Sequence, residues 1–314
     1  HGGIRECHGD LHLGNMVLID GCVRLFDCIE FNPELRWIDV MSEVAFVMMD
    51  LLRYQRRDLA YRFLNRYLEI TGDYDGAAVL PYYVVYRALV RAKVAAMRAG
   101  QPGVTPQLQR SLHEKTNSHV SIAQQMASNR RPMLAILHGL SGSGKTVVSQ
   151  AVLETIGAIR IRSDIERKRL HGLSPAARTG AQPGGGIYSM QAGAATYDRL
   201  TELTSQILDA GFPVLVDAAF LTRERREQMR NLAQAKKMPF AILHTHASEA
   251  TLRQRIAQRA VDAGDASEAD SDVLDWQLAN QEPLTNAELR ETFTFDTERR
   301  DPCAVARQVA DLFS

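Results

Sequence analysis

Four positions between Met133 and Leu153 (MLAILHGLSGSGKTVVSQAVL) have the spacing G-x-x-x-x-G-K-[ST]: Gly139, Gly144, Lys145 and Thr146. With Leu140, Ser141, Gly142 and Ser143 they make a loop whose backbone N–H groups can turn inward on a phosphate. The lysine can reach the β/γ oxygens, and the hydroxyl suits Mg²⁺. The pattern implies a bound nucleotide and chemistry at its γ-phosphate. Such a loop works only between a strand and a helix, and the flanks agree. Met133–His138 is a short apolar run of buried-strand type, and Thr146–Ile156 repeats apolar residues at helical spacing before Gly157.

Further candidates follow downstream. Asp164, in RSDIERKRL, stands after a second apolar run, where the strand ends of an open α/β sheet face the ligand crevice. The competing reading is a capping box, Ser163 to Glu166, with acids in a first helical turn. Asp217 closes the run Val214–Val216, where a carboxylate can hold Mg²⁺ or contact an acceptor, or simply cap the following turn. In LRQRIAQR, Leu252 and Ile256 form an apolar stripe while Arg255 and Arg259, four apart, share an adjoining face. Tyr188 and Tyr197 are open to either an acceptor pocket or plain packing, and His244 and His246, alternating on a strand, read as structural.

A second constellation lies near the start: HGDLHLGN, His8–Asn15, sets an aspartate five residues before an asparagine. Behind it, Asp20-Gly21 between two short apolar runs predicts a two-residue hairpin, Met16–Ile19 with Cys22–Phe26. The hairpin is expected to bring Asn15 and Asp27 to one open end of adjacent strands, about 4.8 Å apart, close enough to share an ion.

The elements that must position these groups fall into two regions. Val40–Ile70, Leu80–Met97 and Leu108–Met126 carry helical periodicity, interrupted by Thr71–Gly76 and Gly100–Gly103. Ser128–Pro132 is polar and ends in proline, so the boundary is expected there, giving domains 1–127 and 128–314. Beyond it, strands expected near Met133–His138, Ala158–Ile161, Val214–Ala218, Phe240–His244 and Thr292–Phe295 alternate with helices. That order predicts an α/β fold with a parallel sheet covered on both faces. Thr179–Gly186 and Asp262–Ser271 read as loops, the second as part of a lid.

Composition narrows the partners. Up to Arg130 there are 15 basic and 14 acidic residues, and 22 and 23 beyond it, so neither region has the basic surplus that nucleic-acid affinity rests on. The four cysteines show no C-x-x-C pair or finger spacing, which suggests a reducing compartment, the cytoplasm, and no structural zinc. The most apolar helix candidate, Val40–Leu52, is too short to span a bilayer and carries Glu43 and Asp50, so it is expected in the core. Residue 1 is His, and it stands so close to HGDLHLGN that the sequence reads as a fragment.

Residues from about Met133 onward resemble the P-loop superfamily of small-molecule and polynucleotide kinases, gluconate-kinase-like and 5′-hydroxyl polynucleotide-kinase-like members with AAA-type ATP binding. The resemblance rests on GLSGSGKT, RSDIERKRL, VLVDAAFL and LRQRIAQR. It implies that Asp164 accepts the proton of the attacking hydroxyl and that Arg167 holds an acidic group on the acceptor or the transferring phosphate. Arg255 and Arg259 become lid arginines that close over ATP. Ala219 departs from the threonine common in relatives. HGDLHLGN resembles the catalytic loop of the aminoglycoside-phosphotransferase family, which implies a base at Asp10 and metal ligands at Asn15 and Asp27. That likeness covers only a kinase C-terminal lobe, roughly Gly3–Met126, and without the upstream lobe its site is expected to be vestigial. The two together resemble a bacterial bifunctional family.

The resulting expectation is an ATP- and Mg²⁺-dependent phosphotransferase acting on an alcohol group of a small molecule through Asp164, Lys145, Arg255 and Arg259. The loop residues 139–146 bind nucleotide, Thr146 and Asp217 bind metal, and Arg167 and Asp217 meet substrate. No membrane partner is expected, and nucleic acid is disfavoured. A polynucleotide 5′-hydroxyl kinase and a non-catalytic ATP-driven switch stand as the alternatives.

Overall fold

The computed structural model describes residues 3–128, 131–179, 185–262, 270–299 and 301–313, without the side chains of 259–262 and 312–313. It divides into two compact units, His1–Leu64 with Asp75–Arg130, and Asn65–Tyr74 with Arg131–Ser314.

In the first unit β1 (Ile4–Glu6) and β2 (Met16–Ile19) pair antiparallel with β4 (Trp37–Asp39) and β3 (Cys22–Leu25) respectively. Ile19 opposes Cys22, so the connection is the two-residue Asp20-Gly21 turn. Both residues have positive φ, +51° and +74°, the twist that a right-handed hairpin demands. Helix α1 (Val40–Arg53) starts at Asp39, whose carboxylate accepts from the Met41 amide at 2.9 Å. Every residue from Met41 to Asp50 is buried, as expected of a helix apolar on nearly all sides. Its two acids are accommodated: Asp50 pairs with Arg53 at 2.8 Å, and Glu43 lies 3.5 Å from Arg87. The periodic run Val40–Ile70 is not one helix. It breaks at Tyr54–Arg56, where Gln55 takes φ +59°, and resumes as α2 (Arg57–Thr71), of which only the residues up to Leu64 belong to this unit. Helices α3 (Leu80–Ala99) and α4 (Pro106–Ser128) follow.

The second unit is built on β5 (Leu134–His138), β6 (Ile159–Arg162), β7 (Val214–Asp217), β8 (Phe240–His246) and β9 (Thr292–Asp296). All neighbours are parallel, in the order β6-β7-β5-β8-β9. Connections of this kind need crossover helices: α5 (Lys145–Ile156), α6 (Ser163–Leu170), α7 (Met190–Asp209), α8 (Arg223–Ala235), α9 (Glu249–Asp262), α10 (Ser271–Asn280) and the short α11 (Asn286–Leu289), while α12 (Pro302–Phe313) follows the last strand. Helices α5 and α12 pack on one face, α7 and α8 on the other. Strands covered on both faces must be apolar throughout, and β5 and β7 are buried at every residue. β5 lies between β7 and β8, so chain order reverses beside it and a crevice opens at its carboxyl end.

Residues Asn65–Tyr74 belong to the second unit although they precede the expected boundary by more than fifty residues. Among the described residues no helix is long and apolar enough to cross a membrane.

Candidate active site

The loop after β5 needs glycine for steric reasons visible in the backbone. Gly139 and Gly142 have φ of +146° and +81°. A Cβ on the first would collide with the Thr245 carbonyl, and on the second would stand 2.8 Å from the Leu252 carbonyl. The loop is held from several sides. Ser143 Oγ shares a 2.8 Å hydrogen bond with Thr245 Oγ1, the Ser141 amide donates to Gln277 Oε1 at 2.8 Å, and Thr297 Oγ1 donates to the Ser143 carbonyl at 3.0 Å. Lys145 Nζ donates to the Gly139 and Leu140 carbonyls at 2.9 and 2.8 Å, which keeps its charge over the loop.

Thr146 and Asp217, 71 residues apart, are brought into contact. Thr146 Oγ1 donates to Asp217 Oδ2 at 3.0 Å, and Ser149 Oγ reaches the same oxygen at 3.3 Å. Asp217 is buried, with Arg162 Nε 3.9 Å from its carboxylate. A hydroxyl and a carboxylate side by side are oxygen donors of the kind a hard divalent cation takes, so the pair fits Mg²⁺. Behind them runs a buried chain that sequence reasoning missed. Arg160, on β6, donates through Nη1 to the Thr146 carbonyl at 3.3 Å and to Ser149 Oγ at 3.2 Å. Its other edge meets Glu69 Oε1 from Nε at 3.1 Å and Nη2 at 2.7 Å. Asn65 completes the join through its side chain, Nδ2 donating to the Ala158 carbonyl at 2.9 Å and Oδ1 accepting from the Arg160 backbone amide at 2.6 Å.

Asp164 sits in the first turn of α6, paired with Arg167 at 3.2 Å. Both line a cavity of about 1030 Å³ that also takes in Lys145, Thr146, Asp217 and Arg255. The expected capping box is absent. Helix α6 starts directly from β6, so Ser163 is already helical, the capping position falls to Arg162, whose side chain makes no capping bond, and the buried Glu166 pairs with Arg169 instead. Tyr188 and Tyr197 both line the cavity, with Arg167 over the first ring at 5.0 Å and Arg225 over the second at 4.9 Å.

Arg255 is engaged with the loop. It donates to the Gly142 carbonyl at 3.2 Å, to Thr297 Oγ1 at 2.8 Å and to the Thr297 carbonyl at 3.0 Å. Arg259 follows one turn later on α9, and its side chain lies outside the described residues, as does most of the expected lid segment 262–271. His138, His244 and His246 form a line of rings with centroids 4.9 and 5.8 Å apart. Burial pushes His138 and His244 down to about 4, so they are neutral near pH 7. No group of three metal-ligating side chains occurs among the described residues.

In the first unit Asn15 Nδ2 donates to the Asp10 carbonyl at 3.0 Å and to Asp10 Oδ2 at 3.2 Å. His12 holds the Asp10 carboxyl below its ordinary range through a 3.3 Å contact. The hairpin register is the one the two-residue turn was expected to set, with Ile19 opposite Cys22. The Phe26 amide bonds to the Asn15 carbonyl at 3.1 Å, so Phe26 opposes Asn15 and Asp27 stands one residue beyond, at φ +61°. Asp10 and Asp27 still line a common cavity with Cys28–Phe31.

A protein-family model described as an AAA domain matches residues 134–284, on the phosphate-loop unit. The uncharacterized protein Rv2004c of Mycobacterium tuberculosis is 31% identical over 282 residues, which cover 89% of this chain and 54% of that protein; Mb2027c of Mycobacterium bovis gives the same figures. The chain thus spans about half the length of the curated relatives it matches. Among solved structures, a candidate kinase from Chloroflexus aurantiacus is 22% identical, covers 58% of this chain and 98% of that one, and has a TM-score of 0.46. A gluconokinase from Sinorhizobium meliloti is 22% identical, covers 59% and 95%, and has a TM-score of 0.41.

Proposed function

We propose that the second unit transfers the γ-phosphate of ATP to an alcohol group of a small molecule. The observation that carries this reading is the placement of Asp164 in one cavity with the phosphate loop and the Thr146–Asp217 pair. Phosphoryl transfer requires an oriented nucleophile and neutralised charge more than covalent assistance, and the cavity supplies both. Asp164 takes the hydroxyl proton as the acceptor oxygen bonds to the γ-phosphorus. The bond from that phosphorus to the β,γ-bridging oxygen breaks, and ADP leaves with the electron pair. Lys145 and the loop N–H groups offset the phosphate charge. Thr146 and Asp217 would hold Mg²⁺, whose charge would offset that of the β/γ oxygens when bound. Arg255 holds the loop to Thr297, and Arg259 is the candidate for charge neutralisation on the transferred group.

Within the same proposal, the first unit is an aminoglycoside-phosphotransferase-like lobe. The contact of Asn15 with Asp10 and the cavity shared by Asp10 and Asp27 support that reading. The test of the main proposal is ADP release over a panel of sugars, sugar acids, nucleosides and aminoglycosides. Stimulation by at least one acceptor supports a kinase, whereas ATP turnover that none of them stimulates supports a nucleotide-driven switch.

A further inference from the structure

The wall of the cavity around Asp164 holds more guanidinium groups than its own acids match. Arg162, Arg167 and Arg225 line it beside Tyr188 and Tyr197. Asp164 pairs with Arg167, and Asp217 is engaged by Thr146, Ser149 and Arg162. Arg225 is different. It donates to the neutral amide oxygen of Gln228 at 3.3 Å and lies over the Tyr197 ring, with no carboxylate partner among the described residues. Arg167 Nε is buried and has no hydrogen-bond acceptor among those residues. A guanidinium stacked on an aromatic face keeps its in-plane N–H edge for a planar or tetrahedral anion, which it can grip with two parallel hydrogen bonds. These groups form one cluster: Tyr197, whose phenol burial pushes up, feels the charges of Arg167, Arg225 and Asp164 together.

Building on the phosphotransferase reading of this cavity, we infer that its acceptor is a small alcohol bearing a carboxylate or phosphate group, held by Arg225 and the Nε edge of Arg167, with its hydroxyl at Asp164. Arg225 is then a specificity residue. A cationic aminosugar meets like charges on this wall, and a neutral polyol leaves the same donors unpaired, so both are disfavoured.

The experiment is calorimetry on the whole chain with saturating ADP and MgCl₂, titrating gluconate, ribose 5-phosphate, neutral ribitol, cationic kanamycin and a short 5′-hydroxyl oligonucleotide. At least one of the two anionic small alcohols should bind, and which one binds separates a carboxylate from a phosphate. Ribitol and kanamycin should bind at least tenfold more weakly, and Arg225→Ala should weaken the anion by tenfold or more while the protein still melts as wild type. Should Arg225→Ala fail to fold, Arg225→Lys, which keeps the charge and loses the fork, should show a partial loss. Binding of neither anion, equal binding of ribitol or kanamycin, tight binding of the oligonucleotide alone, or an unchanged anion affinity in both variants would overturn the inference. The underlying reading fails separately. If an anion binds through Arg225 but never stimulates ADP release from ATP, the anion site stands without the kinase. If only neutral alcohols stimulate release, the kinase stands without the anion site.

Discussion

Glu69 offers the sharpest energetic test, because it precedes the expected domain boundary by some sixty residues and yet belongs to the phosphate-loop unit. One of its carboxylate oxygens takes two hydrogen bonds from Arg160, and both side chains are about 95% buried. Removing one partner of a buried pair leaves an uncompensated charge, which costs about 3–5 kcal/mol. Glu69→Ala should therefore destabilise the second unit by roughly that amount. Glu69→Gln, which keeps an acceptor for Arg160 but loses the charge, should cost less, about 1–3 kcal/mol. Because Arg160 also holds the Thr146 carbonyl and Ser149, ATP affinity should fall along with stability. Replacing both partners by Glu69→Leu and Arg160→Met removes the stranded charge and should recover much of the stability. The assay is a urea titration followed by Trp276 fluorescence in a Trp37→Phe background, since these are the two tryptophans and Trp276 reports the second unit. A cost below about 1 kcal/mol for Glu69→Ala, or a double variant no better than the single one, would refute the reasoning.

Asp164→Asn should bind ATP normally and melt within a few degrees of wild type, yet transfer phosphate at least about 10²-fold more slowly; full transfer by this variant, measured as acceptor-dependent ADP release, contradicts its role as base. Arg255→Ala should weaken ATP binding by about tenfold or more as well as slow turnover, because its bonds to Gly142 and Thr297 brace the loop; calorimetry showing unchanged affinity would count against the bracing role. His138 has a folded pKa of about 4 against about 6.5 unfolded, so the unfolded chain binds more protons between those values. Its contribution is present above pH 6.5 and lost as pH falls toward 4, by about 3 kcal/mol at most. The denaturation midpoint of wild type should fall more steeply over that window than that of His138→Gln, and parallel slopes would contradict it.

The fold was legible wherever local pattern and tertiary need coincide. The phosphate loop announces itself because few residues satisfy its positive φ angles and its phosphate chemistry at once, and the apolar runs at β5 and β7 are buried at every residue, as a covered parallel sheet requires. The Asp20-Gly21 turn was legible for a similar reason, both residues being ones that accept left-handed geometry. Other features depend on partners distant in sequence. Glu69 looks like an exposed helix acid until Arg160 is placed beside it, and Arg160 itself was hinted at only by a charge inside the buried strand Ile159–Arg162. Thr297 and Gln277 carry no motif; their contacts with the loop arise from the return of β9 and α10 to it. Ser163 and Glu166 show the opposite case, a local capping signal overridden because the helix begins without a turn and Glu166 is drawn to Arg169. Gln55 breaks a helix without glycine or proline, which periodicity alone does not register.

The central claim, that the nucleotide site is the phosphate loop of the second unit, is tested most directly by ATP·Mg²⁺ calorimetry on the whole chain with Lys145→Ala and Asp10→Ala side by side. Lys145→Ala should lose ATP binding, because its ammonium is the charge held over the loop, while Asp10→Ala should bind as wild type does. Wild-type affinity in Lys145→Ala, or loss of binding in Asp10→Ala instead, would contradict it.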